Sequence, residues 1–232
     1  MVLCRQERKL MLGIICAMEI EAEAILKHAK DVERKEVCGM EVAVCKLNGV
    51  PTAISLAGIG KVNAAISATL LCEEFDIDAL INVGIAGGLS DEVNTCDCVV
   101  CSRIDQWDYD TTALNDPRGY DVSGKTSYAD QKLNAMVLKA VPEAKIGDMV
   151  SGDAFVSTDE QRELIKEFFP SAVSCDMEGA AIAAAADKLH KPFTILRTIS
   201  DKANEVSYEE LKLVACNLAA KCVDNLTKEM KG

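Results

Sequence analysis

The sequence predicts an α/β protein, a single domain in three α/β/α layers around a mixed, mostly parallel central sheet. Short apolar runs that read as buried strands alternate with helically spaced apolar residues along nearly the whole chain. The 232 residues suffice for one sizeable core, and a composition of 49% hydrophobic and 27% charged residues leaves no large part to disorder.

Residues 1–10 read as a polar N-terminal extension with no assigned function, and the domain itself is expected over residues 11–232, since Met11 could begin the fold. Met11 to Ala17 is an apolar run of strand length, and Glu19 to Lys30 follows with Ile20, Ala24, Ile25 and His28 at helical spacing. Segments near Glu36–Val37, Glu41–Lys46 and Thr52–Leu56, with Asn48-Gly49 supplying a hairpin turn, predict a β-meander. Gly58-Ile59-Gly60 then opens a helix over Lys61 to Glu74, and Ala79 to Gly84 reads as a buried strand. Further strands are expected near Cys98–Ile104, Ala144–Ser151, Ala172–Cys175 and Phe193–Ile199. Helices are expected near Ala129–Ala140, Asp159–Glu167, Gly179–Leu189 and Tyr208–Glu229. The polar stretch from Gln106 to Tyr128 is long for a connection inside a domain, which makes it a candidate binding or interface loop.

The formal charge of −12 repels a phosphate backbone or an anionic bilayer, so neither nucleic acid nor membrane is an expected partner. No apolar run approaches the roughly 20 residues of a spanning helix, and Met1–Leu10 is too polar for a signal-peptide core. A cytoplasmic protein is expected. Eleven cysteines without a signal peptide read as reduced thiols. Cys96, Cys98 and Cys101 form the one cluster, but in a strand-like run small apolar cysteines simply pack, and neither a metal nor a cofactor is expected.

In such a sheet, ligands bind at the carboxyl ends of the strands. The unusual residues there are Glu19 and Glu21, Gly58–Lys61, Gly84–Gly88, Asp153–Val156, Asp176–Glu178 and Arg197–Asp201. Several carboxylates beside one arginine suit a reaction whose transition state places positive charge on the substrate. Glycosidic cleavage is one such reaction: the sugar becomes oxocarbenium-like while one group protonates the leaving base and another activates water. Each residue alone has a plainer use. Glu21 suits the positive end of a helix, Glu178 a helix cap, Asp201 a turn, Arg197 the neutralisation of a buried carboxylate, and Met18 and Phe155 a core. Their common address at strand ends is what favours function.

Five segments in order resemble the 5'-methylthioadenosine/S-adenosylhomocysteine nucleosidase family, within the purine and uridine phosphorylase superfamily. They are Gly13-Ile14-Ile15-Cys16-Ala17-Met18-Glu19-Ile20-Glu21, Gly58-Ile59-Gly60-Lys61-Val62, Val150-Ser151-Gly152-Asp153-Ala154-Phe155, Asp176-Met177-Glu178-Gly179-Ala180 and Arg197-Thr198-Ile199-Ser200-Asp201. The resemblance covers about Met11 to Lys228 and implies a nucleoside phosphorylase-like fold that hydrolyses an adenine thionucleoside to adenine and a thio-substituted ribose. It implies that Asp201, oriented by Ser200, protonates adenine N7, and that Glu21, assisted by Arg197, activates the attacking water. It gives Glu178 and the Met177 backbone to the ribose, Phe155 and the Val156 backbone to the purine, and Met18, Ile59 and Tyr208 to the alkylthio group. It also implies a homodimer in which Thr111 and Leu114 close the partner's pocket. Two departures stand out. Ile85 occupies a position where the family often has a serine that helps hold the water, and Asp176 replaces a common glutamate.

Three other readings compete. A phosphorylase would need several cationic donors, and of the seven arginines only Arg197 is well placed. A nucleosidase for another adenine nucleoside, such as 6-amino-6-deoxyfutalosine, would share the chemistry. A catalytically silent nucleoside-binding protein would share the fold, with Ile85 as its warning sign.

Overall fold

The computed structural model describes the backbone of residues 10–202 and 205–230, and side chains over 10–202 and 211–230. The strands are β1 (Leu12–Cys16), β2 (Ala29–Val37), β3 (Met40–Leu47), β4 (Val50–Leu56), β5 (Ala79–Gly88), β6 (Cys98–Gln106), β7 (Ser127–Tyr128), β8 (Lys145–Ser151), β9 (Ala172–Asp176) and β10 (Phe193–Asp201). The helices are α1 (Glu19–Leu26), α2 (Lys61–Glu74), α3 (Gln131–Ala140), α4 (Asp159–Phe168), α5 (Gly179–Lys188) and α6 (Glu205–Glu229).

All ten strands join one mixed sheet in the order β10-β6-β8-β9-β5-β1-β4-β3-β2, with β7 added to β6. Strands β1, β4, β5 and β10 pair in parallel, as do β6, β8 and β9. The two groups join antiparallel, β10 against β6 and the end of β5 against β9. Because β5 and β10 also pair, β5, β9, β8, β6 and β10 close into a ring. At one join Gly87 and Gly88 lie beside Cys175 and Ser174, so the carboxyl ends of both parallel groups meet there. That meeting point is where the site forms.

Helices cover both faces. Ala22, Ala24 and Ile25 of α1, Leu133 and Val137 of α3, and Ala215 to Leu226 of α6 pack one face. On the other, Ala64, Ala68 and Leu71 of α2 meet the alanine-rich inner side of α5. A smaller cluster of Trp107, Val156, Ile165 and Phe169 seats α4. Local chemistry sets several helix starts. The Asp130 carboxylate accepts the Lys132 and Leu133 N–H groups ahead of α3, and Thr158 with Gln161 forms a reciprocal cap on α4.

Sequence reasoning carries the first helix too far, to Lys30. The chain instead turns after Leu26 and enters β2, whose residues Ala29 to Val37 are mostly exposed and charged. An edge strand paired only with β3 buries no face, so it lacks the alternation by which strands are recognised. The long connection from Gln106 to Tyr128 holds a 3-10 turn at Thr112–Leu114 and the short strand β7.

Candidate active site

The strand ends enclose a cleft lined mostly by apolar groups with a few converging polar side chains, the character usual for small-molecule sites. Glu21, Arg197, Ser200, Asp201, Met18, Ile59, Ile85, Phe155, Val156, Met177 and Glu178 all line it. Tyr208 lies outside the described side chains. Thr111 and Leu114 are not among the lining residues; they sit at the 3-10 turn of the long connection, where Leu114 is 73% exposed. Ala17, Ala86, Gly87, Ala154, Cys175 and Asp176 complete the walls; four of them, Ala86, Gly87, Ala154 and Asp176, fall in the strand-end segments read from the sequence, but none is given a role there.

Glu21 is 3% exposed in the first turn of α1 and is held by three backbone amides. Ala17 and Met18 N–H donate to Oε2 at 3.0 Å each, and Ile85 N–H donates to Oε1 at 3.1 Å. Burial raises its pKa, while Arg197 and the three amides pull the other way. Ile85, whose side chain departs from the family pattern, thus contributes through its backbone. Gly84 before it is also required, because a Cβ there would collide with both Glu21 Oε1 and Arg197 Nη1. Its missing side chain is the space in which carboxylate and guanidinium approach.

Arg197 is 1% exposed on β10. Its Nε donates to Asp176 Oδ2 at 2.9 Å, and its Nη2 donates to Asn82 Oδ1 at 2.7 Å and Glu178 Oε2 at 3.2 Å. Burial lowers its pKa, but Asp176, Glu178 and Glu21 outweigh burial and raise it, so the guanidinium stays charged. Asn82 was detectable as a lone amide inside the apolar run Ala79–Val83. Asp176 orients more than Arg197: it also accepts the Ser151 hydroxyl and, at 3.1 Å, the Gly179 N–H at the start of α5.

Glu178 stands at the N-cap of α5 but makes no cap bond. Its Oε1 accepts the Gly60 N–H at 3.0 Å, and burial pushes its carboxyl up to about 7, against Arg197. Gly60 takes φ 100°, a left-handed value that glycine supplies without strain and with which its N–H meets Glu178. On β10 the pairing with β5 shifts register between Ile199 and Asp201, a bulge of the kind that re-aims side chains. Ser200 and Asp201 are each 1% exposed and both reach the cleft, with Ser200 Oγ donating to Asp201 Oδ2 at 2.6 Å.

The lining therefore contains four carboxylates, Glu21, Asp176, Glu178 and Asp201, against one guanidinium whose donors are largely taken up by Asp176, Asn82 and Glu178. Such a site favours positive charge developing on a bound molecule and offers little to an anion.

This fold and site define the class: a family model described as the phosphorylase superfamily matches residues 11–230, and the chain belongs to that superfamily. Within it the chain belongs to the 5'-methylthioadenosine/S-adenosylhomocysteine nucleosidase family. It is 35% identical over 226 residues to the protein of that name from Staphylococcus haemolyticus, covering 94% of this chain and 99% of the relative. The crystal structure of the Neisseria meningitidis nucleosidase in complex with methylthio-immucillin-A superposes with a TM-score of 0.89 at 31% identity, over 94% of this chain and 98% of that one. The native structure of the Helicobacter pylori futalosine hydrolase superposes with a TM-score of 0.88 at 26% identity, over 95% and 98%.

Proposed function

We propose that this chain is an N-glycosidase that hydrolyses 5'-methylthioadenosine and S-adenosylhomocysteine, releasing adenine and the 5-thio-substituted ribose. The observation that carries this reading is the electrostatic balance of the cleft, four carboxylates facing one engaged arginine. Phosphorolysis needs free cationic donors for phosphate. Loss of a base that leaves a cationic sugar behind is stabilised by carboxylates.

Asp201, oriented by the Ser200 hydroxyl, delivers a proton to adenine N7, so that the base departs neutral. Glu21, aligned by its three amides, takes the proton of the attacking water on the opposite face of the ribose, and its raised pKa makes it a stronger base than an ordinary carboxylate. Arg197 keeps Glu178 and Asp176 in place and its charge close to Glu21. Glu178 and the Met177 backbone hold the ribose hydroxyls. Phe155, 40% exposed before a ligand covers it, stacks on the purine while the Val156 backbone reads its edge. Met18 and Ile59 enclose the alkylthio group.

A homodimer completes the reading. Ile59, Val62 and Ile66 are 53%, 70% and 52% exposed; Val62 and Ile66 share one face of α2, and Ile59 runs on into the cleft. In that homodimer a second copy covers this stripe, and Thr111 and Leu114 are the residues the family resemblance assigns to the partner's pocket.

The deciding assay measures free adenine released from methylthioadenosine in phosphate-free buffer. Asp201→Asn and Glu21→Gln should each lower kcat on the order of 10²–10⁴-fold. Activity surviving in both, or a strict need for phosphate with sugar-1-phosphate formed, refutes the assignment. The similarity in fold to a futalosine hydrolase makes 6-amino-6-deoxyfutalosine the second substrate to compare. The stronger sequence similarity lies with the methylthioadenosine enzymes.

A further inference from the structure

Outside the reacting centre, Lys61, Asp108 and Asp153 form a closed circuit. The Lys61 backbone N–H donates to Asp153 Oδ1 at 2.7 Å, the Asp153 backbone N–H donates to Asp108 Oδ2 at 2.8 Å, and the Lys61 ammonium returns to Asp108 Oδ1 at 2.6 Å. The ammonium also donates to Gln106 Oε1 at 3.0 Å and lies 3.9 Å from Asp153 Oδ2.

The three corners belong to three segments. Lys61 opens α2 after the Gly-Ile-Gly turn, Asp108 follows β6, and Asp153 follows β8. Two of these segments reach directly into the cleft. Gly60, next to Lys61, donates to Glu178, while Ala154, Phe155 and Val156, next to Asp153, line the wall. With side chains 16% and 24% exposed, the Lys61–Asp108 pair is partly screened by water, and pairs of that kind contribute little to folding. Closure gives it a different property: no corner shifts without stretching two bonds.

We propose that Lys61, Asp108 and Asp153 are positioning residues that set the separation between the ribose-binding carboxylate Glu178 and the purine-stacking segment Phe155–Val156. A nucleoside is then gripped at both ends only while the circuit is closed. The identity of that ligand rests on the nucleosidase reading; the circuit itself does not.

The test compares Asp108→Ala, Lys61→Met and the double variant in the full chain. Each should lower kcat/KM for methylthioadenosine on the order of ten- to a hundredfold, chiefly through KM. The double variant should lose no more than either single one, because one cut already opens the circuit. Lys61→Arg, which keeps the cation, should recover most of the loss. Additive losses, or unchanged KM in an active enzyme, overturn the proposal. Hydrogen–deuterium exchange on the same variants needs no substrate. Exchange should rise together over residues 58–61 and 153–156 while α3 stays unchanged. Exchange unmoved at both segments overturns the circuit even if the parent fails to cleave methylthioadenosine. A parent that fails to cleave it while both segments respond together supports the circuit and overturns only the nucleosidase reading.

Discussion

Glu178 shows how a residue placed to cap a helix can be drawn into a cleft instead. Its place ahead of α5 would suit a cap, yet the side chain turns to Gly60 and Arg197, and Asp176 accepts the Gly179 N–H at the helix start instead. Burial, working against Arg197, pushes the Glu178 carboxyl up to about 7. Below that pH the group is protonated and cannot stabilise a cationic sugar; above it, the charge is present. In the parent, kcat/KM should therefore rise with pH through a limb near 7, and in Glu178→Gln that limb should disappear and the plateau fall. A pH–rate profile with the same limb in both proteins would assign it to another group. That Glu21, Glu178 and Asp201 share one cleft was legible in the sequence because, although each alone has a plainer use, all three follow the ends of apolar strands. The contribution of Ile85 was not, since its side chain announces a lost hydroxyl while the group that holds Glu21 is a backbone N–H present in nearly every residue. Asn82 carried a signal, a polar amide within a buried strand, that sequence reasoning passed over.

Among the elements, the long connection after β6 is held by a carboxylate rather than left loose. Asp105 is 0% exposed near the end of β6; its Oδ2 accepts the Ser123 and Thr126 hydroxyls at 2.6 Å each, and its Oδ1 accepts the Gln106 N–H at 2.7 Å. Tyr120 adds a bond from its hydroxyl to the Met149 carbonyl at 2.7 Å. Asp105→Ala would leave two hydroxyls without their acceptor and should cost roughly 1–3 kcal/mol, seen as a lower urea midpoint and earlier proteolytic nicking between residues 115 and 126. An unchanged midpoint and cleavage pattern would count against the anchoring role. The hydroxyl partners lie 18 and 21 residues from Asp105, beyond any local pattern, so the segment reads from sequence simply as a long polar loop. Strand β2 was hidden for the opposite reason: its neighbours are local, but it buries no face. Elements that do bury one, such as α2 and β9, were read within a residue of their observed ends.

For the molecule as a whole, the proposed homodimer predicts that assembly and activity are lost together when the apolar stripe along α2 is broken. Light scattering should report about twice the 25.0 kDa chain mass for the parent and a single chain for Val62→Glu, with adenine release reduced in the variant. A fully active monomeric parent would dispose of the dimer reading. The α/β class and the convergence of the site at strand ends were both visible in the alternation of the sequence. That β5 spans two groups of strands was not, because strand order depends on contacts between segments far apart in the chain. The circular arrangement of β5, β9, β8, β6 and β10 has a consequence for turnover. A flat sheet frays inward from its rims, but a hoop offers no rim from which to peel, and β10 carries Arg197 with a neighbour on either side, Ser200 and Asp201 lying just beyond its pairing with β6. Arg197 is thereby braced from two sides, and Ser200 and Asp201 follow it along the same strand. In the proposed reaction the movement that admits a nucleoside and discharges its fragments is therefore expected in the turns around the mouth rather than in β10.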